Sequence, residues 1–378
     1  MTLALLTALG AGMVAQSGPA GATVSTVKGS AAGYQLNVSL FGGPTNTRGV
    51  GQVVCTNPPT NNLPAGCVPD TQAAAASSPL VTPPAGGSGG TAVTGTKATT
   101  SGAVGPAEFF SSGQVDVSTN GTTGVGGSVT STTSIANVDR NGSENFGYGP
   151  LDTFGTHPKN PSGLTTNVSS TCTASETGNT GSTTITNGML ELDSGWDDNE
   201  NGDYTDAGDH APVRVTVPTT PAKNTTYTGH LHVNGVEETW TYVFNKHVTN
   251  TDGSLTVYAG HQTIHGPTAV GNLYFGKSEC GVKRTTTTAL VSSVNPSTVG
   301  QSVTFTATVA RQHGTGTPTG TVQFKVDGVN SGAPVTLAAG QATKALSDLT
   351  AGSHTITAVY AGKLAFLGST GTLTQQVN

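Results

Sequence analysis

From Val303 onward the chain alternates. Val303, Phe305, Ala307 and Val309 are separated by Thr304, Thr306 and Thr308. A period of two gives one apolar and one hydroxyl-bearing face, the signature of a half-buried strand. Val322, Phe324 and Val326 repeat the pattern, as do Ile356, Ala358 and Tyr360. β-Branched and aromatic residues fill these runs, as a pleated surface favours. Between them stand Asn295-Pro296-Ser297, Pro318, Asp327-Gly328 and Ala351-Gly352, all turn chemistry. Asp327-Gly328, between Val326 and Val329, predicts a hairpin whose turn needs positive φ. About seven short strands in such a span predict a β-sandwich over residues 284–378. Further back, Val115, Val117, Val129, Ile135 and Val138 return at strand spacing, with Asn120-Gly121 and Gly126-Gly127 between them. Residues 213–217 and 228–233 also predict strands, and Trp240, Tyr242 and Phe244 alternate in another. Residues 71–107, mostly Ala, Gly, Ser, Thr and Pro, have linker composition, and Pro79, Pro83 and Pro84 argue against regular strands there.

Several short motifs in the last quarter resemble the bacterial Ig-like repeat domains. Asn295-Pro296-Ser297, Val299-Gly300-Gln301 and the run 303–307 resemble the opening of that family. Residues 318–322 with Phe324 resemble its central strand, and 351–354 with Ile356, Ala358 and Tyr360 its penultimate one. Gly362, Phe366 and Gly368-Ser369 follow as in those repeats, whereas Lys363 stands where an acidic residue is common. The resemblance implies a spacer or adhesion module with no chemistry of its own. His354 is accordingly read as a structural residue of a strand. The module contains no cysteine, so packing alone must hold it.

Composition narrows the class. The 378 residues include 53 glycines, only 10% are charged, and 34% are apolar. This suits exposed β-structure with many turns rather than helix bundles. The net charge of −6, with no basic run, argues against nucleic-acid binding. The apolar run 3–14 is too short to cross a bilayer, which takes about 20 residues. With Ala20-Gly21-Ala22 behind it, it reads as a signal peptide over residues 1–22. No other segment predicts a transmembrane span, so the expectation is a secreted chain, released or held by partners. A larger β-rich domain would then occupy residues 23–283.

That domain holds all four cysteines, Cys55, Cys67, Cys172 and Cys280. In a secreted chain they predict two disulfides with three possible connectivities. Proximity favours Cys55 with Cys67, leaving Cys172 with Cys280. On chain entropy the two would contribute about 3 and about 4–5 kcal/mol. That matters where the apolar core looks thin. Short motifs here resemble the choice-of-anchor P family of secreted bacterial proteins. They are residues 29–31 with Tyr34 and Val38, 127–131 with 136–138, 170–174, 181–184, 224–226 and 278–281. The resemblance implies surface association and supports a Cys172–Cys280 pair.

The densest candidate chemistry is the acidic run 197–209. Asp197, Asn199 and Asn201 occupy positions 1, 3 and 5 of a calcium loop, with Gly202 at the sixth, and Asp203, Asp206 and Asp209 add hard oxygens. Gly208 at position 12 departs from an EF-hand, so the expectation is a Ca2+ loop of another kind, ordering Trp196 and the strand that follows. His230, His232, His247, His261 and His265 could supply imidazoles for zinc or copper, but no tetrahedral set is evident, and surface histidines are the favoured reading. Trp240, Tyr242 and Phe244 are read as core rather than as a sugar platform. Glu191, Glu237 and Glu238 could in principle form a hydrolytic carboxylate pair. No nucleophile elbow, phosphate loop or zinc-protease motif is present. The reading is an all-β, non-enzymatic, secreted or cell-surface structural or adhesion protein whose partner is an extracellular protein or glycan. The alternatives are a carbohydrate-binding or polysaccharide-processing accessory protein and a glycoside hydrolase-like enzyme.

Overall fold

The computed structural model describes residues 24–40, 46–48, 53–54, 68–69, 80–81, 93–97, 100–104, 107–138, 165–193, 210–233, 236–266, 269–312 and 314–378. Every regular element among them is a strand. Cys55, Cys67 and the acidic run 197–209 lie outside the described residues.

The first domain is a sandwich of a large and a small sheet. The large sheet runs, in spatial order, Val213–Thr216, Met189–Asp193, Thr225–Val233, Val236–Thr249, Leu255–Gly266, Ala269–Arg284, Val24–Leu40 and Asn46–Arg48, with Leu80–Val81 also on Val24–Leu40. Its first and last long strands lie side by side, from Val24 opposite Arg284 to Leu40 opposite Ala269. The small sheet runs Gly178–Thr186, Asn167–Ser175, Ser128–Ile135, Val115–Thr122 and Val93–Lys97. Strands Val93–Lys97 and Thr100–Val104 fall inside the stretch read as linker, as does Leu80–Val81 between Pro79 and Pro83. Pairing with Val115–Thr122 recruits Val93–Lys97, a tertiary effect that composition does not register. Asn120-Gly121 likewise lies within a strand, and the turn falls at Gly124 and Gly126, where φ is +99° and +72°.

The interior of this sandwich is layered along the strands. An aromatic cluster holds Tyr34, Trp240, Tyr242, Phe244 and Phe275 with Ile135, Val168 and Ile185. A smaller cluster holds Val24, Val27, Val129, Leu255, Val257 and Val282 with Cys172 and Cys280. Between them lies a buried belt of hydroxyls. On one strand Val129 and Ile135 bracket Ser131 and Thr133; on the next, Val168 and Cys172 bracket Ser170. The belt bonds within itself and to backbone: Ser131 Oγ donates to Thr119 Oγ1 at 2.9 Å, Thr133 Oγ1 to Lys277 O at 2.5 Å, and Ser170 Oγ to Gly276 O at 2.6 Å. Such satisfaction is what makes a buried hydroxyl tolerable. The Cys172–Cys280 disulfide, with Cα atoms 5.5 Å apart, joins the small sheet to the large one inside the smaller cluster.

Inward parity also slips along the large sheet. Leu273 and Phe275 face the core, but beyond Gly276 it is Ser278, Cys280 and Val282 that do. Gly276 has φ +62°, and Asn245, just past Phe244, has φ +48°. A left-handed residue turns the strand over by one position.

The second domain pairs two sheets around one apolar core. One runs Thr286–Ser292, Val303–Arg311, Gln341–Leu346; the other runs Val329–Asn330, Thr321–Val326, Gly352–Tyr360, Ser369–Val377, with Val335–Thr336 on Thr321–Val326. Val303, Phe305, Ala307, Val309, Val322, Phe324, Ile356, Ala358 and Tyr360 all face that core, as their alternation predicts. Asp327 and Gly328 adopt φ +48° and +85° in the hairpin turn.

Candidate functional site

The described residues include the stem of the acidic loop. Strand Met189–Asp193 leads into it, and the chain re-emerges at His210 before Val213–Thr216 returns antiparallel beside the same strand. Asp193 also pairs in parallel with His230 of the neighbouring strand. Its Oδ2 lies 3.1 Å from His230 Nε2 and 3.7 Å from His210 Nδ1. One carboxylate between two imidazoles thus draws the two ends of the loop together. Sequence reasoning picked out His230 and missed Asp193 and His210, which bracket the acidic run. Among the described residues no group of three or more His, Cys, Asp or Glu side chains is arranged to hold a metal ion.

The histidines do not converge. His247 Nε2 meets Asn245 Oδ1 at 3.0 Å, and His265 Nε2 meets Thr241 Oγ1 at 2.9 Å. His232 sits opposite Glu237 in the ladder. His261 is the unusual one, because it is buried. Lys246 Nζ donates to its Nδ1 at 2.6 Å, and its Nε2–H donates to Asn272 Oδ1 at 2.8 Å. Its ring stacks on Tyr274 at 4.1 Å, and Lys246 Nζ lies 5.6 Å from the centre of that ring. Burial drives the His261 pKa down to about 4, against the hydrogen bond to Asn272, and the Lys246 charge lowers it further. Burial lowers Lys246 as well. The arrangement needs a neutral imidazole, since Nδ1 must accept from an ammonium.

The candidate carboxylates are separated by their own strands. Glu191 is buried and accepts from Arg214 Nε at 2.8 Å. Glu238 is fully buried while Glu237 is exposed, as adjacent residues on a strand face opposite ways. Glu237 and Glu238 therefore cannot flank one bond. A fourth carboxylate, Glu279, joins the densest charge network among the described residues. Lys28 Nζ lies 2.5 Å from Glu279 Oε1 and 2.9 Å from Asp252 Oδ2, and Lys277 Nζ lies 3.1 Å from Glu279 Oε2. Burial pushes Glu279 up, but hydrogen bonds and charge from Lys28 and Lys277 prevail and hold it below the ordinary range. Asp252 is held lower still, against burial, by Ser254 and Lys28. These groups stay ionised and paired, which suits structure rather than proton transfer. Trp240, Tyr242 and Phe244 are 1%, 2% and 0% exposed, so they cannot serve as a sugar-stacking platform.

Residues 290–378 match the family model described as bacterial Ig-like domain (group 3). No curated protein matches the chain. Among solved structures, the chain is similar to a protein from Corynebacterium diphtheriae titled as membrane anchored, at 15% identity and a TM-score of 0.21, covering 76% of this chain and 59% of that one. It is also similar to a polysaccharide lyase, at 8% identity and a TM-score of 0.20, covering 92% of this chain and 39% of that one. The chain thus spans about three-fifths or less of either neighbour's length. Neither likeness carries an argument about fold or function.

Proposed function

We propose that this is a secreted or cell-surface bacterial protein with a structural or adhesion role, whose Ig-like module presents the first domain to an extracellular protein or glycan. The observation that carries the reading is the buried Cys172–Cys280 bond joining two sheets of a chain that ends in a bacterial Ig-like domain. Structural disulfides persist in oxidising compartments and are rare in the reducing cytosol. The resemblance of the first domain to the choice-of-anchor P family points the same way. Among the described residues no helix is long and apolar enough to cross a membrane. The buried or ion-paired state of Glu191, Glu238 and Glu279 favours binding over hydrolysis. In this reading residues 197–209 hold calcium, and the Asp193 stem sets the loop's entry and exit.

The test is binding of the purified chain to intact bacterial cells and to a glycan array, with product analysis of the arrayed glycans. Saturable binding without cleavage is the expected result. Cleavage of a glycan, or no binding to cells, protein or glycan, would overturn the proposal. For the loop, calorimetric titration should give a calcium site of roughly micromolar to millimolar affinity. No heat and no change in melting temperature would remove the calcium assignment.

A further inference from the structure

The junction between the domains is built from both sheets of the first sandwich at once. From the large sheet comes Arg284. Its N–H donates to Ala365 O at 2.8 Å, and its carbonyl accepts from Leu367 N–H at 2.9 Å. Its guanidinium lies over the Phe366 ring, 5.8 Å from the centre. Lys283 Nζ donates to Leu364 O and, at 2.9 Å, to Asp252 O in the neighbouring turn. From the small sheet comes the turn after Ser175. Glu176 O accepts from Thr315 N–H at 3.1 Å, and Thr177 O accepts from Thr315 Oγ1 at 2.7 Å. Arg284 is buried and its Nη2 donates to Ser175 O at 2.8 Å, tying the two contributions together. The fit is close. A Cβ on Gly253 would lie 2.8 Å from Ala365 N, and one on Gly314 would lie 2.4 Å from Glu176 O.

The Ig-like module thus docks only where the ends of two different sheets hold one fixed separation. The disulfide is the covalent tie across that separation. Cys172 lies three residues before Ser175 on one strand, and Cys280 lies four before Arg284 on the other. At about 3.3 Å per residue, the bond sits about 10–13 Å from the contacts it governs. Within the sandwich, the layer between bond and junction is the small aliphatic cluster, not the aromatic one. The other ties at this end are hydrogen bonds, from Arg284 Nη2 to Ser175 O, between the Val24 and Gly124 backbones and from Asn179 Nδ2 to Gly253 O, and the disulfide is the covalent one.

We propose that Cys172–Cys280 is a covalent lock on the domain junction. Oxidised, it holds the Ig-like module and the first domain as one rigid body. Reduced, it lets the two sheets shift at that end and frees the module to swing. A dithiol supplies the two electrons and two protons that convert the bond to two thiols and closes to its own cyclic disulfide.

The test is hydrogen exchange and interdomain distance measurement on the full chain, with and without dithiothreitol. Spin labels at Val329 and Val270, both exposed, report the distance. Reduction should broaden the distance distribution and speed exchange at the amides of Thr315, Leu367 and Arg284 by about tenfold or more, while Phe244 and Phe324 keep their protection. Gly314→Val, with the disulfide intact, should broaden the distribution similarly. An unchanged distribution after verified reduction would overturn the lock. So would loss of protection at Phe244 together with the junction, because the bond would then staple the whole domain. If Gly314→Val leaves the distances untouched, the contacts do not fix the domains and the proposal fails on that ground.

Discussion

The two sandwiches close by different means. In the Ig-like module every inward position on its central strands is apolar, from Val303 to Val309 and from Ile356 to Tyr360, and a single core results. In the first domain the inward positions change from apolar to hydroxyl and back along Ser128–Ile135, Asn167–Ser175 and Ala269–Arg284, so its two apolar clusters are divided by the Ser/Thr belt. The first solution needs no covalent help. The second uses specific hydrogen bonds in mid-sandwich and a disulfide at the thinner end. A chain low in apolar residues can thus fill a large sandwich only if the polar side chains within it are paired with one another.

The strongest test of this contrast is truncation of the large core residues. Trp240→Ala and Phe324→Ala should each cost about 3–5 kcal/mol, since both side chains are almost fully buried. Calorimetry with two resolved transitions should show the first change in one transition and the second in the other. If either variant moves both midpoints equally, the domains unfold as one unit and the comparison loses its footing. A smaller effect is expected in the belt. Ser170→Ala removes the donor to Gly276 O and the partner of Ser278 Oγ, 2.8 Å away. The cost should be about 1–3 kcal/mol, the range for leaving buried polar groups unsatisfied. A change within about 0.5 kcal/mol, as is usual for surface substitutions, would show that the belt is merely filled space.

Much of the contrast was readable in advance for one domain and hidden for the other. Period-two alternation in the module coincides with its buried face, so Val303, Phe305, Phe324 and Ile356 identified themselves. In the first domain Ser170 and Thr133 carry the same residue types as the exposed threonines beside them, and nothing local marks them as inward. The left-handed residues Asn245 and Gly276 reverse the facing of their strands, so extending the Trp240–Phe244 pattern past residue 244 assigns the wrong face. Cys172 with Cys280 was inferred by proximity and resemblance, and the structure holds that bond. Arg284 gave no signal, because its role depends on loops remote in sequence on both sides of it. The sequence marks His261 only as one of five imidazoles favoured as surface residues; its burial, against Lys246 and Tyr274 across the ladder, leaves no local sign.

The finest comparison is between two histidines, one in each domain. His261 is buried and neutral, and its folded pKa of about 4 lies below the ordinary 6.5. Between those values the unfolded chain binds more protons. The stability this site contributes is therefore fully present above about pH 6.5 and is lost as the pH falls towards 4. Discounted for partial solvent access, the loss should be about 1–2 kcal/mol, absent in His261→Gln. His354 has the opposite requirement. Its Nδ1 lies 2.7 Å from Asp327 Oδ2 and its Nε2 lies 2.9 Å from Thr350 O, so both nitrogens face acceptors and both must carry protons. Asp327 and the Thr350 carbonyl accordingly raise its pKa. That contribution is present below about pH 6.5 and is lost as the pH rises through the raised value. Asp327 is exposed, so the effect of this pair should be the smaller of the two. Raising the pH from 5 to 8 should move the two melting transitions in opposite directions, upward for the first domain and slightly downward for the module. His354→Gln should flatten only the second. Parallel movement of both transitions would mean that neither histidine governs its own domain's response, and that the carboxylates around Lys28 or the shared junction at Arg284 set it for both.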